Sequence, residues 1–263
     1  MHPLSKTWLV LWLVLLCGSA SGLEGRLLAD GPELALHLTD GRVLRREALI
    51  GIAMVVGGPQ GDSYVRIDGL EDDLNAVGGT VTLYRLSVSA PDGQDGAEFC
   101  QADPRGRRAG FAMPDGAGGF ALTCTSGAQG KCVLMGYRPW QARDGLPMAD
   151  LHRACVHMLR ADYSGDDRPT TRNGTRVDIY DRFAIQVPDR VEGLAFEAAW
   201  GPEGAICVAH PRIAEHITLD DIALRAPHLA RRLGPEVCTE ARMMADPRAL
   251  LFNASAVTVR ASP

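Results

Sequence analysis

Asp162-x-Ser164-x-Asp166-Asp167 gathers three carboxylates and a hydroxyl into one short stretch, and the imidazoles of His152 and His157 lie just ahead of it. Two chemistries are open to those residue types. Carboxylates at alternate positions resemble the opening of an oxygen-rich calcium loop. An imidazole near a carboxylate is the raw material of acid–base catalysis. Each pattern is incomplete. A calcium loop wants Gly at its sixth position and Glu at its twelfth, and Asp167 and Asn173 stand there. His152 and His157 do not share a helix face, and neither has a visible nucleophile for a partner. The chain has no H-E-x-x-H, G-x-S-x-G or phosphate loop. The simpler expectation is that these carboxylates cap backbone N–H groups in a turn and pair with Arg168 or Arg172.

Tyr137, Trp140 and Trp200 are the notable aromatics of the second half, and Arg138 sits between the first two. Such a set can stack on a sugar or a peptide. It can equally fill a core, which a chain with only 6 % aromatic residues needs. The candidate binding residues are therefore Tyr137, Trp140, Asp162, Asp166 and Trp200. No catalytic residue is assigned, and no metal or cofactor is implied. Asn173-Gly174-Thr175 and Asn253-Ala254-Ser255 match the glycosylation pattern and are read as chance.

These residues need elements to hold them. Leu151, Ala154, Cys155, Met158 and Leu159 fall on one helical stripe, so the spacing predicts a helix over 148–162, stopped near Ser164-Gly165. Val177, Ile179, Phe183, Ile185 and Val187 alternate with polar residues and predict a strand over 177–187. The segment 194–210 reads as a hairpin turning at Gly201-Pro202-Glu203-Gly204, and Thr218-x-x-Asp221 opens a helix with a capping box. A second hairpin is predicted over 120–140, with Cys124 and Cys132 on its two arms as candidates for a bridge. Upstream, short runs at 33–38, 48–56, 63–68 and 82–88 are separated by turn residues and predict a small β-sandwich or barrel. The Gly-, Asp- and Pro-rich stretch 92–119 reads as an irregular loop around Cys100.

The chain opens with one lysine, an apolar run from Thr7 to Cys17 and the small residues Gly18-Ser19-Ala20-Ser21-Gly22. That order is an export signal, too short for a confident membrane anchor. Cleavage is expected after Ala20 or Gly22, with a lipid anchor at Cys17 as the lesser alternative. Behind it lie Cys100, Cys124, Cys132, Cys155, Cys207 and Cys238. An even set in an oxidising compartment predicts disulfides, of a connectivity that sequence alone does not choose. No later segment reads as a membrane span. A net charge of −5 gives no footprint for nucleic acid. Lys6 and Lys131 are the only lysines among the basic residues, a bias that points to a GC-rich bacterial genome.

Arg160-Ala161-Asp162-Tyr163-Ser164-Gly165-Asp166 resembles the motif of the ADYC domain, a domain of bacterial exported proteins. Flanking segments are similar too: Lys131-Cys132-Val133, Gly136-Tyr137-Arg138-Pro139-Trp140, His152-x-x-Cys155, Asn173-Gly174-Thr175, Phe196-Glu197-Ala198-Ala199-Trp200-Gly201 and Ala205-Ile206-Cys207-Val208. The likeness covers roughly residues 120–240 and implies a class and a compartment, not a mechanism. Ser164 stands where the motif has Cys. Because the remaining cysteines are even in number, the resemblance implies that a partner went with it, and Ala226, before Pro227, is the position it points to.

The sequence thus predicts a β-rich α+β protein of antiparallel strands and hairpins with one main helix, stapled by disulfides. Its expected parts are a signal peptide (1–22), a β-rich N-terminal region (23–119) and an ADYC-like domain (120–263). The expected role is a secreted or periplasmic module that binds envelope glycan or protein, or is structural, without catalysis. The competing reading is a hydrolase of envelope polymers acting through Asp162, Asp166 and His152.

Overall fold

A computed structural model describes residues 25–58, 61–89, 96–116, 118–143 and 145–258. The expected export signal and Cys17 lie outside the described residues. The chain divides into two compact units, Met1–Gly130 and Lys131–Pro263. Among the described residues the fold is β-rich α+β, with antiparallel sheets, few helices and three disulfides.

In the first unit β1 (Gly25–Asp30), β2 (Glu33–Leu38) and β3 (Val43–Arg45) form one antiparallel sheet. A second sheet runs in chain order through β4 (Ala53–Gly58), β5 (Gly61–Asp73), β6 (Val81–Ser89), β7 (Ala109–Pro114) and β8 (Phe120–Cys124). The period-two pattern explains the layering: Val65 and Ile67 are buried, and Tyr64 and Arg66, which alternate with them, are half-exposed. The two sheets share one core, to which Leu27, Leu34 and Leu36 contribute from one side and Met54, Ile67, Tyr84 and Leu86 from the other. The Tyr84 hydroxyl accepts the Leu34 N–H at 3.0 Å and ties the sheets together. Two expectations are corrected. The run 48–56 does not form a strand throughout, because Arg46–Leu49 is a 3-10 turn entered at a left-handed Arg46 (φ 52°). The stretch read as one irregular loop contains β7, and Cys100 bonds Cys124 of β8.

The second unit is a four-stranded antiparallel sheet of β9 (Val177–Asp181), β10 (Ala195–Gly201), β11 (Gly204–Val208) and β12 (Leu251–Ser255), in the order β11-β10-β12-β9. α1 (Ala128–Leu134) spans the boundary between the units, and α2 (Met148–Arg160) is the longest helix among the described residues. α3 (Leu219–Arg225) and α4 (Glu240–Ala245) come later, α3 opening with the expected Thr218–Asp221 capping box. β10 is almost wholly buried because both sheet faces are covered. Ala198 and Trp200 share a core with Leu151, Cys155 and Met158 of α2, whereas Ala199 lies in a second cluster with Tyr180, Phe252 and Met243 of α4.

The hairpin expected over 120–140 is wrong in its second arm, which is α1, and Cys124 and Cys132 do not pair. Cys132 instead bonds Cys155, joining α1 to the buried stripe of α2, and Cys207 bonds Cys238. Each bridge closes a loop of 23 to 31 residues, worth about 3–4 kcal/mol through the unfolded chain. The strand expected to reach Val187 stops at Asp181, whose carboxylate accepts the N–H groups of Phe183, Ile185 and Gln186 at 2.7–3.2 Å. A side chain offering three backbone bonds outcompetes continued pairing.

Candidate functional site

The carboxylate-rich turn begins where α2 ends. The helix is closed by Ala161 in the left-handed conformation (φ 49°), not by Gly165 as its sequence suggests. Gly165 serves a different need: at φ 69° a Cβ there would collide with the Glu203 carbonyl oxygen at the β10–β11 turn. The Tyr163 carbonyl accepts the Ala205 N–H at 3.0 Å, so this turn is laced to that hairpin.

Asp162 is buried (1 % exposed) and its oxygens are all engaged. Oδ2 bonds His157 Nδ1 at 3.0 Å and the Asp167 N–H at 3.0 Å, and Oδ1 accepts the Asp166 N–H at 3.3 Å. Burial works against its charge, but the His157 imidazole and the two N–H groups win and hold the carboxyl below its ordinary value. Its imidazole partner is thus His157, while His152 is buried on α2. Asp166 is exposed and pairs with Arg225 at 2.7 Å and more loosely with Arg168 at 3.8 Å. The Ser164 hydroxyl oxygen is buried without a hydrogen-bond partner.

Tyr163 points into a sealed polar network that nothing local in the sequence announces. Its hydroxyl donates to Glu197 Oε1 at 2.9 Å and accepts the Arg212 N–H at 2.8 Å. Arg212 grips Glu197 through Nε and Nη2 with two parallel bonds of 3.0 Å, and at the end of α2 Nη2 also donates to the Met158 carbonyl and Nη1 to the Leu159 carbonyl. Asn253 donates to Glu197 Oε2 at 2.7 Å and accepts from Trp200 Nε1 at 2.8 Å, while the Trp200 ring stacks on Tyr163. Glu197 and Arg212 are 0 % and 2 % exposed, so the pair is viable only because every lone pair and proton around it is matched. Burial opposes the Arg212 charge, yet Glu197 raises its affinity for the proton; burial and Glu197 together push the Tyr163 hydroxyl well up.

Of the five candidate binding residues, Tyr137, Asp162 and Trp200 are buried, and Trp140 and Asp166 keep exposed surface. The Tyr137 hydroxyl donates to Asp181 Oδ2 at 2.8 Å, and Arg138 is buried beside it in the chain. The structure joins Asp162 to Asp166 through one turn and places Trp200 beside Tyr163. Glu197, Arg212 and Asn253 were missed. The usable signal is one acidic residue inside an otherwise apolar strand, Ala195-Phe196-Glu197-Ala198-Ala199-Trp200, which predicts a buried charge with a partner elsewhere. Among the described residues no three His, Cys, Asp or Glu side chains gather as a metal would require.

No curated protein and no solved structure matches the chain. The family model of the ADYC domain matches residues 46–214, starting well before the motifs that first carry the likeness and ending before Ala226. The match takes in most of the chain's length and the whole turn from Ala161 to Asp166, and the chain belongs to the ADYC domain family.

Proposed function

We propose that the chain is an exported protein of the bacterial cell envelope, secreted or periplasmic, that works as a binding or structural module without catalysis. The observation that carries this reading is Asp162. A general acid or base must present a proton or lone pair to substrate, and both Asp162 oxygens are engaged inside the turn. Asp166 is held by Arg225. The motif thus builds a rigid junction between α2 and the β10–β11 hairpin. Three disulfides suit an oxidising compartment, and no described helix is long and apolar enough to cross a membrane. The candidates left on the surface for a glycan or protein are Trp140 and Asp166, while Tyr137, Asp162 and Trp200 support the frame.

The test is to incubate the oxidised protein with peptidoglycan sacculi and a glycan array, scoring retention and soluble products together. Retention without products is expected, and Trp140→Ala should weaken it about tenfold, the loss of one stacked ring. Released fragments would overturn the reading in favour of a hydrolase. Failure to be retained on either material would remove glycan as the ligand.

A further inference from the structure

A cavity of about 210 Å³ opens beside β9 and α4, away from the motif turn. Its walls are of three kinds. Tyr180 offers a ring that is fixed in place, 1 % exposed and stacked on Phe252. Asp178 and Glu240 supply carboxylates, and Val191, Leu194 and Phe196 give an apolar side. Arg190 also lines it. Its guanidinium lies 5.4 Å from the centre of the Tyr180 ring and forms a two-pronged pair with Glu240 at 2.9 and 3.0 Å.

The fixed walls, then, grip a guanidinium, by its face on an aromatic ring and by its fork on a carboxylate. The group they grip is loosely held. The Arg190 side chain is 63 % exposed, so water screens its pair with Glu240 and solvates the guanidinium when it leaves. The backbone beneath it is firm, since Asp178 accepts the Asp189 and Arg190 N–H groups at 3.0 and 2.9 Å and keeps Arg190 left-handed (φ 53°). The side chain can therefore swing out without moving the cavity. With it gone, the Glu240 carboxylate and the Tyr180 ring face the space with no cation opposite, while Asp178 stays bonded to the two backbone N–H groups.

We propose that this cavity is a binding site for an alkyl guanidinium group, with the Arg190 side chain as its displaceable internal occupant. The incoming group takes the Arg190 position on Tyr180 and Glu240, and its alkyl stem lies along Val191, Leu194 and Phe196. A free small molecule and an arginine side chain in a peptide share this chemistry. The inference rests on its own cavity and holds whether or not Trp140 and Asp166 bind glycan.

The tethered Arg190 competes at an effective concentration in the millimolar range. Removing it should tighten binding of an external guanidinium. The experiment is calorimetric titration of the oxidised full chain with agmatine and, separately, with a short Gly-Arg-Gly peptide. Arg190→Ala should bind at least one of them saturably, at one per chain and at least tenfold tighter than the unmodified protein. Adding Glu240→Gln to that variant should abolish the binding, and cadaverine, which lacks the fork, should bind more weakly. Arg190→Gly relieves the left-handed backbone and serves if the Ala variant fails to fold. Absence of binding in a folded Arg190 variant, or binding that survives Glu240→Gln, overturns the proposal. Agmatine without the peptide, or the reverse, identifies which source the site accepts.

Discussion

Tyr163 earns its place by its oxygen. That atom lies between the Glu197 carboxylate and the Arg212 N–H, and both are sealed from water. Phenylalanine would fill the same volume and keep the stacking on Trp200, but would leave the Arg212 N–H without its acceptor. An unmatched buried donor costs about 1–3 kcal/mol. Tyr163→Phe is therefore expected to lower stability by about 2–3 kcal/mol in urea unfolding followed by tryptophan fluorescence. A change below about 0.5 kcal/mol would mean that the network is not sealed in solution. The sequence displays Tyr163 inside a recognisable motif, yet its partners lie dozens of positions away. Only the pairing of β10 with β11 and β12 brings them together, so no local period could reveal them.

The junction between α2 and the motif turn is where the expected pairing of position 164 with position 226 can be tested. The Ser164 hydroxyl is buried without a partner, a poor site for oxygen and a tolerable one for sulfur, which behaves as a small apolar group. The neighbouring Asp166–Arg225 pair brings this segment against the end of α3, next to the buried Ala226. Ser164→Cys with Ala226→Cys is expected to form a fourth disulfide in the oxidised protein, read as no additional titratable thiols and a higher melting temperature. Two free thiols in a folded double variant would rule out the pairing. Other elements show how far patterns reach. α2 and the β10–β11 hairpin were legible because each has enough residues for its period to show, and Gly201 to Gly204 mark the turn. α1 was not, since seven residues with a short apolar run fit a strand as well as a helix. A tempting pair of cysteines then favoured the wrong choice.

The charge arrangement of the whole chain sets how it meets acid. Burial opposes ionisation of Asp73, Asp103 and Asp162, yet the guanidinium, imidazole and N–H donors around them win, and all three stay below their ordinary values. Glu240 is lowered chiefly by Arg190. A carboxyl depressed in the folded state contributes stability that is present above its unfolded pKa, near 4, and is lost as the pH falls through the folded value. Thermal melts at stepped pH should therefore show the main carboxylate-linked loss below about pH 4. A loss concentrated between pH 7 and 5 would contradict that assignment. The β-rich class, the helix of the motif and the disulfide habit could all be read from the chain, because each rests on composition or local period. The division at Gly130 could not, since it depends on contacts between distant strands.

The three bridges among the described residues join Cys100 to Cys124, Cys132 to Cys155 and Cys207 to Cys238, so each described cysteine is bonded to its next described neighbour in the chain. A polypeptide that meets an oxidant as it emerges, N-terminus first, closes every loop before the following thiol appears. Native pairing is then the default product of emergence order. An oxidant acting during emergence would therefore leave few misjoined sulfurs to reshuffle.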